Sequence, residues 1–515
     1  MIDGKLLAEK LLVYAERFLY LNKRDETYFR NILLREFGLS EPMEEVPDLS
    51  IVKEYDVPDA IVSEVEEYAL ENGIVKDGEQ NLYSTYIFGI LSPLPSKVNE
   101  EFLKIKGKDG IKAACRYFYD LSVKNNYVQK TAIGRNLKWE YKDGANVLEI
   151  TINLSKPEKN NKDVAKLLIA PKKNKYPACL LCKENEGYKG TATHPARENI
   201  RTISLTLGGE PWFVQYSPYA YYNEHMIAIS EKHVPMHIKA DTIDKLLDFV
   251  DFFPNYMIGS NAALPIIGGS ILNHEHFQGG GHVMPMHRAP LLKGYDDLKS
   301  KYHDVKIGIV DWYNSVIRLE SKNRKEIGDL AKDIVAAWAD FTDEGCNVFA
   351  ETDWEKHNSL SPVCRIKDGA YIFDMILRNN LVTKERPEGY FHARPEFHNI
   401  KKESIGLIEA MGLFILPGRL KRQLSAVADI LCGNEKYDEK ALWEEGNDLY
   451  AHRFMIKDLI KDGLLSDKSE ADEKVRAKVN EVCKNILFDT AVFKKDENGR
   501  RGFIKFLTAA GITQK

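Results

Sequence analysis

A pair of cysteines in the first half of the chain has the spacing of a metal-binding turn. Cys179 and Cys182 stand in the segment YPACLLC, and a C-x-x-C spacing can place two thiolates on one tetrahedral zinc ion. The same spacing is also typical of a redox-active pair and of two buried thiols. A zinc site therefore requires two further ligands from elsewhere in the chain.

Two histidines and a glutamine alternate in a second segment, NHEHFQGGG. On an extended strand, residues two apart share a face, so His274, His276 and Gln278 would line up about 6–7 Å apart. Because a row of imidazoles and an amide fills an apolar core poorly, this pattern indicates a functional site. The glycines at 279–281 fit either a phosphate-binding loop or a plain turn.

A third segment supplies one more histidine. His233 follows the short apolar segment HMIAIS and by itself could be any surface histidine. Together with the cysteine pair and the histidines of the second segment, it completes a Cys-Cys-His-His set, which is a common ligand set of structural zinc sites.

The elements that position these segments follow from the spacing of apolar residues. Helices are expected at 6–19, 26–38, 60–70, 241–253 and 435–487. Asp25 is the expected cap of the second helix, and Asp241 or Thr242 that of the fourth. Strands are expected at 147–154, 202–207 and 225–230, with a charged turn at 156–163. The sequence therefore predicts an α+β protein with a helical N-terminal region, a mixed centre and a helical C-terminal region.

Composition and charge narrow the class of protein. The chain has 515 residues, of which 44% are hydrophobic and 29% charged, an ordinary balance for a protein with a buried core. The net charge of −5 argues against a general nucleic-acid coat. No stretch approaches the roughly 18 apolar residues of a membrane span. Seven cysteines in so long a chain fit reduced thiols, so a cytoplasmic location is expected.

Longer blocks around these segments resemble a known family. YPACLLCKENEGYKG, HPARENIRTISLTLGGEPW, NHEHFQGG and HNIKKESIGLIEAMGLFILPGRLK are similar to the galactose-1-phosphate uridylyltransferase family in its long bacterial type. That family belongs to the histidine-triad superfamily, so the resemblance implies an antiparallel sheet core in two halves. The implied parts are a helical region at 1–125, catalytic halves at 126–300 and 301–430, and a helical region at 431–515.

The resemblance also implies an activity and a role for each motif residue. UDP-glucose would give its uridylyl group to His276, and galactose 1-phosphate would then accept it from this covalent intermediate. Gln278 would hydrogen-bond the phosphoryl oxygens. A structural zinc would be held by Cys179, Cys182, His233 and His274. The expected partners are these small-molecule substrates, and a homodimer is compatible with the resemblance.

Four further residues are expected to bind the substrates. Asn261 resembles a phosphate-contacting asparagine of the family. Arg197, Arg201 and Asn358 are basic or amide side chains that suit sugar phosphates, and both arginines lie between the cysteine pair and a glycine-rich turn.

The chain departs from the better-known short type in two places. Glu275 stands between the motif histidines, where the short type has proline. The segment His392-Ala393-Arg394 has arginine where the second metal site of the short type has histidine, so the sequence argues against a second metal but leaves its presence open.

Two other readings remain open on the sequence. One is a dinucleotide phosphorylase or hydrolase of the same superfamily, against which Gln278 argues because an amide helps water less than a third histidine would. The other is a zinc-stapled binding module, to which the charge balance lends no support.

Overall fold

The computed structural model describes residues 2–155, 176–191, 193–269 and 271–514. The helices are α1 (Gly4–Phe18), α2 (Glu26–Glu36), α3 (Asp59–Glu71), α4 (Gln80–Leu91), α5 (Pro95–Asp109), α6 (Ile111–Lys124), α7 (Lys130–Gly134), α8 (Ala240–Phe252), α9 (Pro285–Arg288), α10 (Arg324–Ala339), α11 (Leu407–Ala410), α12 (Leu420–Leu431), α13 (Glu439–Leu442), α14 (Arg453–Leu459), α15 (Lys468–Thr490) and α16 (Glu497–Ala509). The strands are β1 (Leu137–Asp143), β2 (Asn146–Asn153), β3 (Ile203–Leu207), β4 (Glu210–Tyr216), β5 (Met226–Ser230), β6 (Met257–Gly259), β7 (His276–Gly280), β8 (Lys306–Ile309), β9 (Val316–Ser321), β10 (Glu351–Thr352), β11 (Glu355–Lys356), β12 (Asn358–Lys367), β13 (Ala370–Asn379) and β14 (Leu413–Pro417). This is the expected α+β class, and its sheets are largely antiparallel.

Contacts divide the chain into two compact units. Unit 1 comprises Met1–Arg135 and Pro157–Val234, and unit 2 comprises Asn136–Lys156 and Pro235–Lys515. The four-part division expected from the sequence stays a prediction. The charged turn expected at 156–163 lies outside the described residues.

In its described residues, unit 1 combines helices α1 to α7 with three antiparallel strands. The first three expected helices are present as α1, α2 and α3. Asp3 caps α1 by accepting hydrogen bonds from the backbone N–H groups of Lys5 and Leu6. Asp25 precedes α2 as expected but makes no side-chain capping bond, because it belongs to a 3₁₀ turn and has helical dihedrals. The strands lie in the order β3, β4, β5, and two of them are the strands expected at 202–207 and 225–230.

Unit 2 contains six antiparallel strands in the order β7, β6, β12, β13, β9, β8. Helices α8 and α10 pack on β12, and α8 also packs on β6. A second sheet in this unit has the order β1, β2, β14, and its β2–β14 pair is parallel. The strand expected at 147–154 is the central strand of this second sheet.

Two expected helices differ from the structure in detail. Helix α8 has Lys239 as its N-cap residue, and Thr242 accepts the N–H of Lys239, so neither Asp241 nor Thr242 is the cap itself. The single helix expected at 435–487 is instead divided into α13, α14 and α15. One division falls at Gly463, whose φ of 93° lies in the left-handed region that interrupts a right-handed helix.

No helix in the described ranges is both long enough and apolar enough to cross a membrane.

Candidate active site

The C-x-x-C segment of unit 1 forms a tight turn with both sulfur atoms on one side. The Sγ atoms of Cys179 and Cys182 are 3.6 Å apart, and the N–H of Leu181 donates to the Cys179 sulfur at 3.3 Å. Two sulfur atoms about 2.3 Å from one tetrahedral zinc lie about 3.8 Å apart, so this spacing suits a shared metal. It is far longer than a disulfide bond of about 2.05 Å.

The turn is held in shape by an asparagine that the sequence analysis did not single out. Asn185 donates from Nδ2 to the carbonyls of Cys179 and Cys182, at 2.9 and 2.8 Å. Its Oδ1 accepts from His194 Nε2 at 2.6 Å. These bonds fix the backbone on which both sulfur atoms stand. The position of Asn185 three residues after the second cysteine was the only signal for this role.

His233 joins the two cysteines. Its Nδ1 lies 3.1 Å from Cys182 Sγ. The ligand atoms of Cys179, Cys182 and His233 all lie within 4.8 Å of one another, so unit 1 contains a Cys/His cluster that could bind a metal. Burial raises the pKa of the Cys182 thiol to about 11, with a smaller contribution from its bond to Cys179. A bound cation would have to displace that proton, since the thiolate is the metal ligand.

The His-x-His-x-Gln segment of unit 2 begins β7 rather than lying wholly within it. The strand starts at His276, and its ladder with β6 pairs Gln278 with Gly259 and Gly280 with Met257. His274 precedes the strand, so the expectation that all three motif residues share one regular strand holds only for His276 and Gln278. Both motif histidines are buried.

The ring of His276 has a defined tautomer. Its Nδ1 lies 2.8 Å from the carbonyl oxygen of His274. Because a carbonyl can only accept, Nδ1 carries the hydrogen and Nε2 keeps its lone pair. Burial lowers the pKa of His276 to about 4, below the reference value of about 6.5 assumed for a free imidazole. The ring is therefore neutral at pH 7 and can act as a nucleophile through Nε2.

One glycine after the motif has a packing role. Gly279 and Gly280 belong to β7, so they do not form a plain turn, and binding of a phosphate near these glycines stays a prediction. A Cβ on Gly279 would lie 2.5 Å from the carbonyl oxygen of Met257. Strand β6 therefore approaches too closely for any residue with a side chain at this position.

Glu275, the residue between the two motif histidines, forms a buried ion pair. Glu275 Oε1 accepts from Lys245 Nζ of α8 at 2.9 Å, and both side chains are almost fully buried. Burial alone would lower the pKa of Lys245, but its bonds to Glu275 and Asp241 outweigh burial and raise it. Sequence reasoning missed Lys245. Its only signal was a lysine on the apolar face of an amphipathic helix.

The two arginines expected to bind sugar phosphates have different surroundings. The guanidinium of Arg201 directs its N–H groups at backbone carbonyls, those of Gly89, Ser92, Pro93, Glu198 and Ile200. This geometry gives Arg201 a structural role at the C-terminal end of α4 and does not favour the substrate role, which stays a prediction. Arg197 is half-buried, and its guanidinium carbon lies 5.7 Å from the centre of the Tyr127 ring.

Asn261 and Asn358, the two asparagines expected to bind substrate, both form hydrogen bonds with the backbone of unit 2. Asn261 accepts the N–H of Leu407 at 2.8 Å, at the start of α11. Asn358 donates to the carbonyls of Trp338 and Phe341 at the end of α10. Substrate binding by either residue is not tested by these contacts and stays a prediction.

Comparison with known proteins decides the family. Residues 22–235 match the family model described as galactose-1-phosphate uridyl transferase, N-terminal domain, and residues 249–440 match that of its C-terminal domain. The chain belongs to the galactose-1-phosphate uridyl transferase family. All three segments that carry the candidate chemistry lie inside these matches. The N-terminal match includes Cys179, Cys182 and His233, and the C-terminal match includes His274, His276 and Gln278.

Relatives named galactose-1-phosphate uridylyltransferase cover nearly the whole chain. The protein from Caldanaerobacter subterraneus subsp. tengcongensis is 43% identical over 99% of this chain and 98% of its own length. The protein from Fusobacterium nucleatum subsp. nucleatum is 40% identical over 98% of each chain. That from Lactococcus lactis subsp. lactis is 40% identical over 94% of each. Among solved structures, yeast Ap4A phosphorylase Apa2 covers 56% of this chain and 78% of its own, at 12% identity and a TM-score of 0.29, too low to bear on fold or function.

Proposed function

We propose that this family member transfers the uridylyl group of UDP-glucose to galactose 1-phosphate through a covalent bond to His276. The observation that carries this proposal is the hydrogen bond from His276 Nδ1 to the His274 carbonyl, which leaves Nε2 as an available lone pair. Family membership and relatives about 40% identical along nearly the whole chain supply the substrate class.

The first half-reaction makes one bond and breaks one. His276 Nε2 attacks the phosphorus next to uridine, a P–N bond forms, and the P–O bond to glucose 1-phosphate breaks with its electron pair on the departing oxygen. The imidazole then carries a positive charge, which the Nδ1–H bond to the His274 carbonyl stabilises. No general base is needed, because the neutral ring has no proton on the attacking nitrogen.

The second half-reaction reverses these steps with another sugar phosphate. A phosphate oxygen of galactose 1-phosphate attacks the same phosphorus, the P–N bond breaks, and UDP-galactose leaves. The half-buried Gln278, two residues along β7, is the proposed donor to the phosphoryl oxygens on which charge builds up. An amide does not shuttle protons near neutral pH, so it gives water little help in hydrolysing the intermediate.

For the metal, we propose a structural zinc on Cys179, Cys182 and His233 with His274 as the fourth ligand. The cysteine and histidine distances in unit 1 support three of these ligands, and the motif of the family supports the fourth. Four protein ligands would leave no open position for substrate, so the metal would hold its ligands in place. Among the residues expected to bind the sugar phosphates, we propose the half-buried Arg197 as the first candidate.

The proposal also includes a cytoplasmic location. All seven cysteines lie in the described part of the chain and none forms a disulfide, which supports a reducing compartment.

The test is retention of label from UDP-glucose labelled at the phosphorus next to uridine. Wild-type protein without acceptor should keep label in an acid-labile, base-stable form, as expected of a phosphoramidate, and release it when galactose 1-phosphate is added. His276→Ala should keep no label and lose isotope exchange between UDP-glucose and glucose 1-phosphate. Its zinc content should equal that of wild-type protein, because His276 is not a proposed ligand. Exchange activity in His276→Ala would place the nucleophile elsewhere.

A further inference from the structure

The residue between the two motif histidines is anchored to helix α8 by a buried lysine. Side-chain exposure is 2% for Glu275 and 4% for Lys245, and Glu275 Oε1 lies 2.9 Å from Lys245 Nζ. Lys245 Nζ is also 2.9 Å from a carboxylate oxygen of Asp241, one turn earlier on α8. Asp241 in turn binds His237 Nε2 at 3.0 Å. Lys245 therefore joins α8 to the motif through Glu275, and Asp241 of the same helix is its second carboxylate partner.

Lys245 supplies the positive charge between Asp241 and Glu275, so these carboxylates need no metal ion. His237, Asp241 and Glu275 place their ligand atoms within 4.8 Å of one another, a grouping that could hold a metal. Lys245 Nζ already lies at hydrogen-bond distance from both carboxylates and supplies the positive charge there. A buried carboxylate without such a partner would be costly, so the position of Glu275 depends on Lys245.

The position of Glu275 matters because it lies between the two residues whose hydrogen bond sets the tautomer of His276. That bond joins His276 Nδ1 to the carbonyl of His274, so the ring closed by this bond contains the backbone of residue 275. Within unit 2, the ladder between β6 and β7 pairs Gln278 to Gly280 and does not reach Glu275. A change in the backbone dihedrals of Glu275 would therefore change the distance from Nδ1 to its acceptor.

We propose that Lys245 is a positioning residue for His276, acting through Glu275. The inference rests on the proposed function, because it takes His276 as the nucleophile. Glu275 binds Lys245 of α8, whereas the ring of His276 binds the main chain of His274. In this proposal Lys245 positions the nucleophile through Glu275 and does not contact substrate.

The experiment is a rapid-quench measurement of uridylyl-enzyme formation, in which amplitude and rate constant are separate readouts. In Lys245→Met, the rate constant should fall about 10-fold or more, since small misplacement of a reacting group costs that much. The amplitude, which counts competent molecules, should stay near the wild-type value. A merely structural role would lower the amplitude and leave the rate constant unchanged.

A matched control comes from a lysine of α10 that pairs with the same helix α8. Lys332 forms a 2.6 Å ion pair with Asp244 of α8 and does not contact the motif. Lys332→Met removes an ion pair to α8 of the same chemical type, and it should label at the wild-type rate. An equal fall in rate in Lys332→Met would assign the effect to α8 in general and overturn the proposal.

Glu275→Gln keeps the test decisive if Lys245→Met does not fold. The amide keeps the size of the carboxylate but removes its charge, so the bond from Lys245 is weaker, and Lys245 stays paired with Asp241. Its rate constant should fall about 3- to 10-fold at full amplitude, and Lys245→Arg, which keeps the charge, should recover part of the loss seen in Lys245→Met. A wild-type rate constant in Glu275→Gln, or a loss of amplitude alone, would overturn the role of Lys245. Wild-type protein that takes no label would remove the proposed function itself, which is a different result.

Discussion

At the scale of single residues, the protonation of His276 is decided by an acceptor that cannot donate. The carbonyl of His274 holds the proton on Nδ1, and burial keeps the ring neutral well below pH 7. A charged imidazole would have no lone pair for phosphorus. The chemistry proposed for this site therefore depends on one main-chain bond and on exclusion of water, with no carboxylate bonded to Nδ1.

The identity of residue 278 should decide how much of the intermediate is lost to water. Gln278→His introduces an imidazole, which can take up and release a proton near neutral pH, two residues from His276. Hydrolysis of UDP-glucose without acceptor should therefore rise several-fold relative to transfer. The measurement is the ratio of UMP release to UDP-galactose formation under the same conditions. Gln278→Asn, which keeps an amide, is the matched variant and should not raise that ratio.

At the scale of elements, the cysteine turn and His233 form a cluster that could bind a metal. Asn185 fixes its backbone through two carbonyls, and the sulfur atoms of Cys179 and Cys182 face each other at 3.6 Å. Metal binding would convert these thiols into thiolates and release protons. The stability of the turn should therefore follow zinc occupancy.

Loss of one cysteine ligand should lower zinc content and stability together. Wild-type protein should contain about one zinc per chain, and Cys182→Ser should contain much less, with a melting temperature lower by several degrees. Elemental analysis and thermal unfolding measure the two effects, and the KM for UDP-glucose should change less than either.

Cys432→Ser is the control for this prediction. Cys432 belongs to unit 2, is half-buried, and has its sulfur 3.5 Å from the carbonyl of Asp429. This variant should keep its zinc and its melting temperature. Metal-free wild-type protein of full stability would contradict the zinc site.

At the scale of the whole molecule, stability in acid should be limited by buried neutral histidines. His452 accepts from Asn399 Nδ2 through its Nδ1 and donates from its Nε2 to Gln423 Oε1. Burial first, and Arg419 second, lower its pKa to about 4. A protonated ring would place a second donor against Asn399 and an unpaired charge in the interior.

The direction of the pH effect follows from which state binds the proton first. An unfolded histidine titrates near pH 6.5, so between about pH 6.5 and pH 4 the unfolded chain gains a proton that folded His452 does not. The free energy of unfolding should fall through this window, by up to about 3 kcal/mol for such a group, and His452 should have no effect above it. Melting temperatures of wild-type protein and His452→Gln at pH 7, 6, 5 and 4.5 measure this.

His452→Gln should show a shallower loss of melting temperature on acidification than wild-type protein. His303→Gln removes an exposed histidine and should keep the wild-type dependence. Parallel curves for all three proteins would show that His452 does not control acid stability.

The sequence by itself predicted the candidate reacting groups and determined most of the elements that carry them. Ligand spacing in C-x-x-C and alternation in His-x-His-x-Gln are local patterns, readable because they depend on residues two or three apart. The apolar periodicity at 6–19 and 147–154 likewise predicted α1 and β2. Family resemblance then supplied the activity, and the match over both domains confirms that family.

Tertiary structure alone decided which polar groups meet across long separations. Lys245 and Glu275 are 30 residues apart in the chain, and no local pattern joins them. Arg201 resembles a phosphate ligand in sequence, yet it binds carbonyls from Gly89 to Pro93, more than 100 residues earlier. Such partners are fixed by how elements pack, because a buried charge takes the acceptors that folding brings within reach. The bond from His276 to the His274 carbonyl spans only two residues, but it depends on a backbone conformation that the sequence pattern does not show, and it selects the tautomer that the proposed chemistry requires.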